Sequence, residues 1–140
     1  MTHPAPALLV PSHLQTFLAF DVGRKRTGVA SGNRLLPRAT PQRTIRAESN
    51  EARLQEAAAR VREWQPDALV VGVPFHPDGA SHENTAMARK FARQLGARVP
   101  LPVFEVDERY STTEALADGA RDPDAGAACV ILEQFLRSIG

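Results

Sequence analysis

Apolar residues fall along the chain in two rhythms, and the change from one to the other marks its elements. Positions 17–21 form a short apolar run closed by Asp21, which reads as a buried strand. Gly23 and the charged Arg24-Lys25-Arg26 make a turn, and positions 27–31 read as a second strand, so the pair forms a β-hairpin. Gly32-Asn33 signals another turn, and 35–45 supplies a third strand broken by Pro37 and Pro41. From Ser49 or Asn50, either a good cap, the period lengthens. Leu54, Ala58, Val61 and Trp64 recur at helical spacing until Pro66 stops them. The apolar run 68–73 is typical of a strand covered on both faces. After Pro74, Pro77 and Gly79, Ser81 caps a helix whose Met87, Phe91 and Leu95 share a face, closed by Gly96. Positions 103–106 make the next strand. Ser111-Thr112-Thr113-Glu114 is a capping box that predicts a small helix near 112–118. Asp122-Pro123-Asp124 opens a last helix with Ala128, Ile131, Leu132, Phe135 and Leu136 as its apolar face.

The order is therefore β-β-β-α-β-α-β-α. Strand–helix–strand units need right-handed crossovers, so strands one, four and five should run parallel. The expected fold is α/β: a mixed five-stranded sheet, an antiparallel three-stranded meander plus two parallel strands, flanked by helices. With 140 residues and 15.2 kDa, the chain is the size of one domain and can bury a full core without disulfides or structural metal. We expect one domain over 17–140. Residues 1–16 read as a flexible N-terminal tail, since they lack the apolar stretch of a signal peptide. The longest apolar runs span only a few residues, so no membrane association is expected. A lone Cys129 argues against a disulfide scaffold or a Cys-rich zinc site and suits a reducing cytoplasm.

The net charge of +1 conceals an asymmetry. Residues 1–62 carry ten Arg and Lys against four acids, and residues 63–140 carry seven against twelve. Between Arg24 and Arg46 seven basic residues meet no acid. Such a stretch, beside acids elsewhere, can hold a polyanion over metal-binding carboxylates. Mixed surface charge for solubility is the plainer alternative.

Four acids fall at element ends: Asp21, the adjacent Asp107 and Glu108, and Asp124. Ligands of α/β sheets bind at the carboxyl ends of parallel strands. Oxygen donors there suit Mg²⁺ or Mn²⁺, and carboxylates from distant elements could hold two ions for phosphodiester hydrolysis. Each acid also has an ordinary role: Asp21 in a turn, Asp124 at a helix N-terminus, Asp107 and Glu108 as loop acids. Gly23 and Gly28 bracket the turn, where glycine lets backbone approach a phosphate closely. The pattern DxGxxxxG resembles the first hairpin of the RNase H/actin-like superfold.

Four segments in order are more specific: FLAFDVGRKRTGVA (17–30), LVVGVPFHPDG (69–79), VFEVDERYSTTEA (103–115) and DAGAACVILEQFL (124–136). Together they resemble the YqgF/RuvX family of pre-16S ribosomal RNA nucleases and Holliday-junction-resolvase-like proteins. The resemblance implies an RNase H-like fold and a metal-binding acid set matching Asp21, Glu108 with Asp107 beside it, and Asp124. It implies phosphate contacts or support from Arg109, Ser111 and Thr112. The charged turn of Arg24, Lys25 and Arg26 reads from its charge as a backbone clamp, with a solvated turn as the plainer alternative. Two departures matter. If strand four lies between strands one and five, Asp21 and Glu108 start roughly 10 Å apart at about 4.8 Å per strand, wide for one shared metal. The other is in length. Only sixteen residues separate Asp107 from Asp124, where family members carry a longer, Lys-rich segment. The implied activity is divalent-metal-dependent (Mg²⁺ or Mn²⁺) endonuclease processing of the 5′ end of pre-16S ribosomal RNA, with small-subunit components as further partners. Two alternatives stand beside it: a DNA nuclease resolving four-way junctions, and a non-catalytic RNA- or ribosome-binding factor. The first needs a symmetric dimer; the sequence itself fits a monomer or a homodimer.

Overall fold

Five strands and three helices form among residues 10–74, 82–107 and 123–139, which the computed structural model describes. In chain order they are β1 (Thr16–Val22), β2 (Arg26–Asn33), β3 (Leu36–Arg46), α1 (Asn50–Trp64), β4 (Ala68–Val73), α2 (His82–Arg98), β5 (Val103–Asp107) and α3 (Pro123–Ile139). The sheet order is β3-β2-β1-β4-β5. The first three strands pair antiparallel, and β1, β4 and β5 are parallel. The mixed five-stranded sheet expected from the sequence is the one that forms. The predicted helix near 112–118 lies outside the described residues.

Alternation along each strand divides the core in two. Leu18, Phe20, Leu69 and Val71 point into the layer under α1 and α2 with Leu54, Val61, Phe91 and Leu95. Phe17, Ala19, Ala68 and Val70 face α3, where Ile131, Leu132 and Phe135 meet them. Phe17 and Phe135 pack edge to face with ring centroids 5.2 Å apart. All six residues of β4 are buried, which is why its sequence is an unbroken apolar run.

Strand β2 explains how closely α3 can approach. Gly28, Ala30 and Gly32 occupy one face of the strand and leave a trough. A Cβ on Gly32 would stand 3.1 Å from Leu132 Cδ2, and one on Gly28 would fall on the backbone of Asp124. Small residues on a single strand face thus set the height and register of the helix.

Several local expectations are corrected. Pro37 and Pro41 do not break the third strand, because β3 is an edge strand and one side of its backbone needs no partner. Trp64 does not join the apolar face of α1; at the helix end it is 43% exposed. Gly96 does not close α2, which runs on to Arg98. It is a packing position, since a Cβ there would stand 3.2 Å from Val103 Cγ2. Ser49 is the N-cap of α1 and accepts a hydrogen bond from Ala52 N at 3.1 Å. Two arginines of α1, Arg53 and Arg60, are buried. Arg60 donates to Glu56 Oε2 at 3.0 Å and to the Arg43 carbonyl at 2.7 Å, tying the helix to the sheet edge.

Residues 10–15, read above as tail, are held in place. Leu14 is buried, and Arg34 donates to the carbonyls of Leu14 (2.6 Å), Val10 (2.9 Å) and Pro11 (2.9 Å). Among the described residues, no helix is long and apolar enough to cross a membrane.

Candidate nucleic-acid and metal site

The site forms at the carboxyl end of β1, where the chain turns into β2. Asp21 is half-buried there and shares the α3 face with Phe17 and Ala19. Its antiparallel partner is Gly28 and its parallel partner is Gly72, so neither cross-strand partner carries a side chain. Across Gly28 stands Asp124 in the first turn of α3, where a carboxylate opposes the positive end of the helix dipole. Asp21 and Asp124, 103 positions apart in sequence, thus both adjoin one glycine.

The turn between the strands is built on Gly23 and Arg53. Gly23 N donates to the Arg26 carbonyl at 2.9 Å, and a Cβ at Gly23 would stand 2.7 Å from that same oxygen. This tight closure requires glycine. Arg53 lies beneath the turn, only 4% exposed. Its guanidinium donates to the Gly23 carbonyl at 2.7 Å, to the Arg24 carbonyl, to Thr27 Oγ1 at 3.1 Å and to Asn50 Oδ1 at 3.3 Å. Burial pulls its pKa below the ordinary arginine value. All four acceptors are neutral, so a buried cation underlies the loop that carries Arg24, Lys25 and Arg26.

Above this loop opens a cleft of about 580 Å³ lined by Gly23, Arg24, Lys25, Arg26, Arg46, Ala47, Glu48 and Asp124. Arg26 and Arg46 are paired across β2 and β3, and Ala47 N donates to the Lys25 carbonyl at 3.0 Å. Arg26 Nε reaches Asp124 Oδ2 at 3.2 Å. Arg24 instead pairs with Glu83 at the start of α2, at 3.3 Å. The cleft gathers four cations beside Asp124 and Glu48.

Asp107 is placed differently. Register pairs Asp21 with Gly72 and Gly72 with Val106, so Val106 is level with Asp21 two strands away, about 10 Å at the usual spacing. Asp107 is one residue further and on the opposite face, in a small cleft with Arg89 and Glu105. Arg89 and Glu105 are themselves bridged at 3.6 Å. Glu108, Arg109, Ser111 and Thr112 lie outside the described residues. Among the described residues no group of three or more His, Cys, Asp or Glu is placed to hold a metal ion, and Asp21 and Asp124 are the acids that both adjoin Gly28.

Sequence reasoning did not single out Arg46 or Arg53. The acid-free basic run from Arg24 contained Arg46, but its convergence on the turn depends on the β2–β3 register. Arg53 gave no signal beyond its neighbours on a helix.

This sheet order, with α3 packed across the hairpin and acids at the end of β1, defines an RNase H-like domain of the resolvase type. Thermus thermophilus RuvC bound to a Holliday junction substrate superposes with a TM-score of 0.57 at 14% identity, covering 86% of this chain and 93% of that one. The fowlpox virus resolvase in complex with Holliday junction DNA gives 0.58 at 9% identity, covering 89% and 98%. At these identities the likeness is one of fold. The family model of RuvX, described as Holliday junction resolvase, matches residues 15–138, and the chain belongs to that family. It is 71% identical over 130 residues to a protein of Albidiferax ferrireducens, covering 93% of this chain and 83% of the relative. It is 71% identical over 126 residues to one of Polaromonas sp., covering 90% and 91%. A relative from Paraburkholderia phytofirmans is 52% identical over 127 residues, covering 86% and 87%. Each of the three has pre-16S rRNA nuclease in its name.

Proposed function

We propose that the chain is a divalent-metal-dependent endonuclease that cleaves ribosomal RNA precursor in the cytoplasm, at the 5′ end of pre-16S RNA. The observation that carries this reading is that Gly28, the strand partner of Asp21, lies against the backbone of Asp124, which lines a cleft with Arg24, Lys25, Arg26 and Arg46. The oxygen donors of Asp21 and Asp124 fit Mg²⁺ or Mn²⁺, since magnesium typically takes one or two protein carboxylates and fills the rest with water and substrate phosphate. Glu108 is the third acid by family resemblance. When bound, the ion supplies a water of lowered pKa and charge stabilisation at the phosphorus.

The protein's own residues do the rest. Asp21 and Asp124 are held to one geometry by strand pairing and by the contact of α3 with Gly28. Arg24, Lys25 and Arg46 grip the backbone through charge, and Arg53 holds the loop that presents the first two. Arg109, Ser111 and Thr112 extend that grip by resemblance. Neutralising several phosphates releases counterions, so affinity should fall steeply with salt. The names of the homologues support ribosomal RNA as substrate.

The test is cleavage of a labelled RNA spanning the 5′ end of the 16S precursor, by wild type and Asp21→Asn, in Mn²⁺, in Mg²⁺ and in chelator. Cleavage that needs metal and disappears in Asp21→Asn, with RNA binding retained, is the expected result. A folded wild type that binds the RNA but never cuts it would replace this reading with a non-catalytic factor. Cutting of a four-way DNA junction in preference to the RNA would replace it with a resolvase, which must then be dimeric.

A further inference from the structure

The ion pair between Arg26 and Asp124 links the two halves of the site, the acids and the basic cleft. The backbone of Asp124 is packed against Gly28, so its carboxylate moves only by side-chain rotation. Arg26 is the freer of the two. It begins β2, and its side chain is 56% exposed against 26% for Asp124. Register places Arg46 directly opposite Arg26, a like-charged pair that is unfavourable until an anion lies between or beside the two. In the protein alone, Asp124 is an anion that Arg26 reaches, at 3.2 Å. A polyanion in the same cleft would offer Arg26 a second partner.

Resting on the metal-dependent reading above, we infer that Arg26 is an exchangeable counter-ion. Its guanidinium closes on Asp124 when the acidic pair holds no metal, and turns to a substrate phosphate when a divalent ion takes that carboxylate. A metal ion entering alone must displace the guanidinium. With nucleic acid already in the cleft, the guanidinium has a phosphate to accept it, and the displacement costs less. Metal and nucleic acid therefore bind cooperatively, and by linkage each raises the affinity of the other by the same factor. Arg26 acts on the ion through Asp124 and is a positioning residue.

The experiment is a Mn²⁺ titration of the full chain without nucleic acid, read from the electron paramagnetic resonance signal of the free ion. Wild type is compared with Arg26→Gln, Arg26→Lys and Arg24→Gln. Arg24→Gln removes the same charge from the same cleft but leaves the bridge to Asp124 intact, because Arg24 pairs with Glu83. Arg26→Gln is expected to bind Mn²⁺ roughly three- to tenfold more tightly than wild type, and more tightly than Arg24→Gln. Arg26→Lys should fall between, since lysine keeps the charge without the planar fork. Filter binding of RNA in Mn²⁺ and in chelator should show that the metal-induced gain of wild type shrinks in Arg26→Gln. Equal Mn²⁺ affinities for wild type and Arg26→Gln, weaker binding by Arg26→Gln, or equal gains for Arg26→Gln and Arg24→Gln would each overturn the exchange. Wild type that binds no Mn²⁺ at all would instead overturn the metal-dependent reading beneath it.

Discussion

The backbone of Asp124 rests on the face of Gly28, so closely that a Cβ at position 28 would stand 1.8 Å from the Asp124 carbonyl oxygen. Gly28 is also the strand partner of Asp21. One glycine thereby adjoins two acids from opposite ends of the chain. Gly28→Ala cannot be absorbed by a side-chain rotation, because the obstacle is backbone. Either α3 lifts at its first turn or the hairpin bends. We expect a loss of about 1–3 kcal/mol in stability, as for overpacked cores, and a loss of cleavage out of proportion to it. Urea unfolding and cleavage rates on the same preparation check this; full activity in a stable Gly28→Ala would show that the acids tolerate separation.

Arg53 makes a second prediction. Its four donor contacts all end on the turn, on Thr27 or on Asn50, and none of these acceptors carries charge. Arg53→Met fills much of the same volume but strands two turn carbonyls. The expected cost is about 2–4 kcal/mol, from lost charge-assisted bonds and buried acceptors left unmade. Thermal melts should show it. In RNA binding, Arg53→Met should also reduce the slope of affinity against salt, because the cations of the loop lose their placement. An unchanged slope would confine Arg53 to a structural role.

Much of this was legible in the sequence, and the limits follow from physics. The β4 run and the apolar face of α3 announce themselves because burial on both faces, or on one helical stripe, leaves little choice of residue type. Three long-range facts left no local trace. Pro37 and Pro41 argue against a strand unless the strand is known to be an edge. Gly96 reads as a helix end, although it makes room for Val103 across the layer. Arg53 and Arg60 carry charge, and burial of arginine becomes acceptable only once turn and edge carbonyls are folded above it. The acids Asp21 and Asp124 were visible as element ends, whereas their place beside one glycine depends on the Gly28, Ala30 and Gly32 trough under α3.

Asp67 gives a pH prediction away from the site. Its carboxylate accepts from Gln15 N at 2.7 Å and Thr16 N at 3.1 Å, fastening the start of β1 beside the start of β4. The bond from Gln15, then that from Thr16, holds its pKa below the ordinary 3.8. A carboxylate depressed in the folded state stabilises the fold fully above its unfolded pKa. That contribution disappears as pH falls through the lower, folded value. Asp67→Asn should therefore lower the melting temperature at neutral pH, with the gap to wild type closing only below about pH 3.8. A gap that persists unchanged into acid would mean that the amide's geometry, rather than the charge, is at fault.

Asp107 and Glu108 are neighbours in sequence, and the placement of Asp107 at the end of β5 bears on which of them is the third acid. In a β-strand successive side chains point to opposite faces. Asp107 closes β5 on the side of α2, with Arg89 and Glu105, whereas Asp21 and Asp124 face α3. To reach the acidic pair, Asp107 would have to pass through the sheet. Family resemblance matches the third acid to Glu108 with Asp107 beside it, and the placement of Asp107 favours Glu108 as the ligand we propose. Asp107→Asn should consequently leave cleavage within about threefold of wild type, whereas Glu108→Gln should lower it by at least about a hundredfold, as expected for a metal-ligating acid. Mn²⁺ affinity should follow the same order. The reverse order would require β5 to end in a conformation that rotates Asp107 onto the face of α3, and would move the third acid one residue toward the N-terminus.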